Sequence, residues 1–100
     1  MMTVDEKITN DIITLEIHGR VEAINSEEFQ NKILKAFQRT KNVVLDMSDV
    51  PYISSAGLRA LLIGHKTGSS KGGKLLIINA STAVLEIVRV TGFDRIFNIQ

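Results

Sequence analysis

Two serines followed by two small residues, Ser54-Ser55-Ala56-Gly57, are the residues of this chain best placed to do chemistry. They stand where a proline-containing loop, Ser48-Asp49-Val50-Pro51-Tyr52-Ile53, runs into an amphipathic stretch. Ser54 can cap a helix by accepting a bond from a free backbone N–H. Ser55 then falls in the first turn, its hydroxyl near the positive end of the helix dipole. A phosphate on Ser55 would add roughly −1.5 to −2 charges at that point. The dipole tolerates such a charge, so the fold survives while the exposed surface changes sign. Gly57 costs about 1 kcal/mol in a helix relative to alanine, so either something approaches closely there or helix packing needs the space. From the residues alone, two serines at a helix start are more often simple caps.

Other chemistries have weaker support. Gly68-Ser69-Ser70-Lys71-Gly72-Gly73-Lys74 has the spacing of a phosphate-binding loop, G-x-x-x-x-G-K. Leu75 stands where a Ser or Thr would hold magnesium, and the segment leads from helix to strand instead of strand to helix. It reads as a helix stop and connector. Ser54 and Ser55 lack the first glycine of a nucleophile elbow, and neither histidine can be placed beside them as a base. Asp46 and Asp49 are explained as a strand end and a turn. His18 and His65 are the only histidines, and there is no cysteine. No second nitrogen or sulfur ligand lies at metal spacing from either, so a metal site would need distant carboxylates, and none is expected. No cofactor is expected.

The elements that position these residues follow from periodicity. Val4, Lys7 and Ile8 form a first strand and Asn10-Asp11 a turn. Ile12–His18 is a second strand, with Ile13, Leu15 and Ile17 on one face. Gly19 ends it. Residues 26–40 read as a helix, with Asn25 as N-cap, Glu28 completing a capping box, and Phe29, Ile33, Ala36 and Phe37 as the buried stripe. Residues 42–47 and 74–79 are apolar runs, read as strands covered on both faces. A second helix starts near Ser54 or Ser55, presents Leu58, Leu61, Leu62 and His65, and ends in 67–73. Ser81 caps a third, which carries Val84, Ile87, Val88 and Thr91 and stops at Gly92. The order β-β-α-β-α-β-α predicts an α/β fold, a sheet of about four strands with helices on its covering face.

Composition limits the function classes. One hundred residues, 44% apolar and 23% charged, predict one globular domain over residues 1–100. Twelve basic against eleven acidic residues give a net charge of +1, which argues against a dedicated nucleic-acid binder, since those usually show a basic face and a higher pI. Uninterrupted apolar stretches reach about four residues against the ~20 that span a bilayer. The N-terminus lacks a signal peptide's apolar stretch. A cytoplasmic protein without membrane insertion is expected.

The stretch Val43–Leu58, VVLDMSDVPYISSAGL, resembles the signature of the STAS-domain anti-sigma factor antagonist family. Gly19-Arg20-Val21-Glu22, Gly72-Gly73-Lys74-Leu75 and Thr91-Gly92-Phe93-Asp94-Arg95-Ile96-Phe97 resemble further landmarks of that family, in order and at its spacing. The resemblance implies a STAS-type mixed sheet with helices on one side. It implies a bacterial binding protein and not an enzyme. The unphosphorylated form would bind an anti-sigma factor that is also a serine kinase, and so free a sigma factor. Phosphorylation would switch binding off, and a serine phosphatase would restore it. Alignment on Gly57 puts the modified serine at Ser55, with Ser54 as runner-up. The partner-binding residues it implies are Glu22, Asp46, Ser54, Ser55, Ala56, Gly57 and Arg59. The family's core is Asp-Ser-Ser/Thr-Gly. Here Ser54 replaces the aspartate and Ala56 the second hydroxyl. That departure motivates an alternative, an unphosphorylated STAS adaptor in a transporter or signalling assembly. A small hydrolase or nucleotide-binding enzyme is the third reading, resting only on the serines and the incomplete phosphate loop.

Overall fold

A computed structural model describes all 100 residues. The chain begins with a hairpin of β1 (Thr3–Thr9) and β2 (Ile12–His18). Its turn needs two left-handed residues, which Asn10 (φ 52°) and Asp11 (φ 66°) supply. There follow α1 (Ser26–Phe37), β3 (Asn42–Asp49), α2 (Ser55–Ser70), β4 (Lys74–Ile78), α3 (Thr82–Val90) and β5 (Asn98–Ile99). Short 3-10 turns at Ala23–Asn25 and Phe93–Arg95 lead into α1 and β5.

The five strands lie in the order β1-β2-β3-β4-β5, with β1 antiparallel and the rest parallel. Each crossover moves one strand further in the same direction. Because such crossovers are right-handed, all the helices must land on one face. Register then aligns the buried residues into rows, Ile13-Val43-Leu75 and Leu15-Leu45-Ile77, each at most 2% exposed. Phe29, Ile33 and Phe37 of α1, Leu58 and Leu61 of α2, and Val84 and Val88 of α3 close over these rows in one core.

The other face stays half open, and this corrects the expectation of strands covered on both sides. In β3, Val43, Leu45 and Met47 are buried while Val44 and Asp46 are half-buried; Leu76 and Ile78 of β4 repeat the pattern. An unbroken apolar run suggested two covers, but a single helical layer leaves Val44 and Leu76 to shield each other across the strand pair.

Three boundaries and the strand count also differ. β3 runs on through Ser48 and Asp49, which the proline had assigned to a loop; Pro51 begins the irregular segment only after the ladder ends. α1 stops at Phe37 and not at residue 40. The sheet has a fifth strand, too short at two residues to show a period. α2 continues to Ser70, so Gly68 is a packing residue inside the helix. A Cβ there would lie 2.9 Å from Phe37 Cζ, and one at Gly64 2.8 Å from Ile33 Cγ2. These glycines let α1 and α2 approach closely.

Asn25 does not cap α1. Its side chain folds back, accepting from the Glu22 N–H at 2.8 Å and donating to the Arg20 carbonyl at 3.0 Å. The 3-10 turn placed ahead of the helix is the reason, since it aims the amide at the turn before it.

Candidate functional site

All three helices start at the same end of the molecule, beyond the C-terminal ends of β2, β3 and β4. Open parallel sheets bind their ligands at this end. Two segments are zipped together there. Gly19 N–H donates to the Asp49 carbonyl at 2.9 Å, Val21 N–H to the Tyr52 carbonyl at 2.9 Å, and Ser54 N–H to the Val21 carbonyl at 2.8 Å. Val21 and Ile53, both buried, form a parallel bridge. Gly19 (φ 104°) is required at the turn, since a Cβ would strike the Met1 carbonyl oxygen at 2.2 Å. Arg20 lies over the Tyr52 ring at 4.6 Å and pairs with Glu22 at 3.3 Å. Ser81, the cap of α3, donates to the Val50 carbonyl at 3.1 Å and ties the third helix start to the same loop.

On this frame the two serines have different environments. Ser54 has extended backbone (φ −82°, ψ 170°), and its hydroxyl accepts from the Gly57 N–H at 3.1 Å. It is the N-cap of α2 and half-buried. Ser55 opens the helix and is exposed. No acidic residue sits in the first turn of α2. Arg59, one turn on, is exposed and sits in no ion pair. Ala56 is half-buried and Gly57 fully buried. A Cβ at Gly57 would lie 2.6 Å from Ile53 Cγ1 and 2.8 Å from Val21 Cγ1. Of the two explanations for this glycine, packing space is therefore the one the structure supports.

Glu22, Ser54, Ser55, Ala56, Gly57 and Arg59 thus gather at the helix starts. Asp46 does not join them. It lies on the open sheet face, accepting from the Ser48 N–H at 3.0 Å and from the Asn79 amide at 3.4 Å. Burial alone would raise its pKa, but the bonds from Ser48 and Asn79 and the charge of His18 outweigh this and hold it below the ordinary 3.8. Asp49 is not paired with Asp46. It accepts from His18 Nδ1 at 2.8 Å, and His18 Nε2 meets Asp5 at 3.1 Å. The hydrogen bond to Asp49, with Asp5 and both negative charges adding to it, raises the His18 pKa above 6.5 against the opposing effect of burial. His65 borders the α2 stripe, its ring 6.2 Å from that of Phe97 and its Nδ1 buried without a partner.

The sequence reading missed the contribution of Arg20 and Tyr52 to this surface. The stacked pair is 32 residues apart in the chain, and no local pattern signals it.

Comparison with known proteins bears on this arrangement. The family model for the STAS domain matches residues 3–100. BtrV of Bordetella bronchiseptica, named provisionally as an anti-sigma factor antagonist, is 31% identical over 84 residues, spanning 83% of this chain and 72% of that one. The crystal structure of TM1081 from Thermotoga maritima, named with the same provisional role, superposes with a TM-score of 0.89 at 26% identity, covering 96% of this chain and 84% of that one. The anti-sigma factor antagonist SpoIIAA of Bacillus shares the fold in two states. Its unphosphorylated form gives a TM-score of 0.81 at 14% identity, covering 98% of this chain and 88% of that one. Its phosphorylated form gives 0.75 at 13%, covering 98% and 91%. No helix of this chain is long and apolar enough to cross a membrane.

Proposed function

The chain belongs to the STAS-domain family, and we propose that it is an anti-sigma factor antagonist switched by phosphorylation of Ser55. The unphosphorylated protein docks on an anti-sigma factor with serine kinase activity and so frees a sigma factor. The kinase modifies Ser55, binding is lost, and a serine phosphatase resets the cycle. In this reading the protein is a binding partner and not an enzyme.

One observation carries the choice of residue: of two adjacent serines, Ser54 is committed to the helix cap and Ser55 is exposed in the first turn. A kinase must draw its acceptor into its own site. It can take Ser55 without breaking the cap, whereas taking Ser54 would strip the Gly57 N–H of its acceptor. The added charge of roughly −1.5 to −2 lands beside free N–H groups and is tolerated by the fold. SpoIIAA, a protein of the same fold, is described in both forms. A charge buried at the centre of a docking surface weakens binding by about 2–5 kcal/mol, at least a tenfold loss of affinity. In this reading Glu22, Ala56 and Arg59 contribute to the docking surface with Ser55, while Gly57 acts from below by admitting Val21 and Ile53. Asp46 acts at a distance from it, on the open face.

Ser54 and Ala56 stand where the family has an aspartate and a second hydroxyl, and this favours a second reading as an unphosphorylated STAS adaptor. Two measurements separate them. Phosphopeptide mapping of protein from its source cells is expected to find one phosphate, on Ser55. Titration calorimetry against the anti-sigma factor is expected to show Ser55→Ala binding like the wild type and Ser55→Asp at least tenfold weaker. Equal affinity of the two variants, or no phosphate despite full coverage of Ser55, would leave the adaptor reading in its place.

A further inference from the structure

The sheet brings together on its open face side chains from neighbouring strands. His18 and Glu16 are two residues apart on β2 and share that face. Asp5 on β1 is directly opposite Glu16. One ligand atom from each of Asp5, Glu16 and His18 lies within 4.8 Å of the others. A fourth group stands behind them, for Asp49 Oδ2 holds His18 Nδ1 at 2.8 Å.

We propose that His18 Nε2, Asp5 and Glu16 form a surface site for a divalent first-row transition ion, with Asp49 orienting the imidazole. Histidine ligands characteristically give their second ring N–H to a carboxylate, which fixes the tautomer and leaves the other nitrogen's lone pair for the metal. Asp49 does this for His18. Without an ion Nε2–H donates to Asp5 Oδ2, 3.1 Å away, and a bound ion would take the place of that proton, which leaves to solvent. Two ligands on bonds of ~2.1 Å are about 3.0 Å apart at right angles and about 3.4 Å apart in a tetrahedral site, so exchanging the hydrogen-bond proton for an ion needs little movement of this pair. Glu16 completes a face of three ligands by swinging from Lys7, with which it makes a surface ion pair at 3.0 Å. Exposed pairs of that kind contribute little, so the rearrangement is cheap. One imidazole with two carboxylates suits Zn2+, Co2+ or Mn2+, while Mg2+ and Ca2+ prefer all-oxygen sites. The remaining coordination positions face water. A bound ion would fasten edge strand β1 to β2. Through Asp49 it would also steady the end of β3, which leads to Ser54 and Ser55.

This inference is independent of the phosphorylation switch, and its test uses the untagged full chain with Zn2+ as the probe. Calorimetry of the wild type is expected to show one saturable ion per chain below millimolar concentration. His18→Ala and Asp5→Asn should each weaken it at least tenfold. Asp49→Asn, which removes only the orienting group, should weaken it about tenfold. Co2+ should show visible absorption in the wild type that His18→Ala lacks. These side chains are at the surface, so the variants should keep their metal-free melting temperature to within a few degrees, and His18→Gln substitutes if the alanine variant does not. Absence of saturable binding overturns the proposal. Affinity unchanged in His18→Ala or in Asp5→Asn also overturns it, the ion then being held elsewhere.

Discussion

Replacing Ser54 by alanine separates the cap from the proposed phosphorylation switch. The substitution removes one hydrogen bond, that from the Gly57 N–H at 3.1 Å. The two backbone bonds of residue 54, its N–H to the Val21 carbonyl at 2.8 Å and its carbonyl from the Leu58 N–H at 2.9 Å, do not involve the side chain and remain. Loss of a serine cap costs about 0.5–2 kcal/mol. Gly57 is buried, so water cannot readily replace the lost acceptor, and the upper half of that range, about 1–2 kcal/mol, applies. For a domain of this size each kcal/mol moves the melting temperature by roughly 4–8 °C, so a fall of about 5–15 °C is expected. Ser54→Asp keeps a capping oxygen and adds a charge that the helix dipole favours by about 0.3–1 kcal/mol, so it should melt no lower than the wild type. Thermal unfolding followed by circular dichroism reads both variants, and kinase labelling of the same samples below their transitions tests the proposed switch. Ser54→Ala should still accept one phosphate. A variant that melts like the wild type would refute the cap assignment. A destabilised variant that accepts no phosphate would refute the division of roles between the two serines.

Two further outcomes follow from the packing and the electrostatics. Gly73→Ala would put a Cβ 1.7 Å from the Lys41 carbonyl oxygen, so the strand entry must shift, and a loss of about 2–3 kcal/mol is expected in urea unfolding. Gly72→Ala meets nothing within 4 Å and bears only the strain of φ 77°, so it should lose less, about 1–2 kcal/mol. The lowered pKa of Asp46 makes its ionised form stabilising above the unfolded value of 3.8, and this contribution disappears as pH falls through the lower folded value. Wild type should therefore exceed Asp46→Asn in stability at neutral pH, with the gap closing below about pH 4. A gap that stays constant through acid would show that Asp46 acts through shape and not charge.

Much of the fold could be read in the chain because the signals are local. The alternation of Ile13, Leu15 and Ile17 marks a half-buried strand, and the spacing of Phe29, Ile33, Ala36 and Phe37 marks a helix face. Asn10-Asp11 fits a turn that needs two positive φ values. Ser54 and Ser81 were legible as caps, since a cap bond spans only three residues. The position of Ser55 just inside α2 follows from the same pattern. Asn25 shows the limit of such signals: its sequence context matched a cap, and a 3-10 turn ahead of the helix redirected its amide.

What remained hidden depends on pairing between distant segments. Burial of β3 and β4 on one face only is set by the hand of successive crossovers, which no window of sequence contains. The two-residue β5 exists only because β4 offers it an edge. Arg20 meets Tyr52 because Val21 pairs with Ile53. His18 looked isolated because its partners, Asp5 and Asp49, lie 13 and 31 residues away along the chain. Strand register is what brings those carboxylates to one imidazole. The sequence by itself determined the helices, the four longer strands and the serine at the helix start, because those rest on contacts between near neighbours. Only the tertiary structure decided which face was covered and which distant charges met.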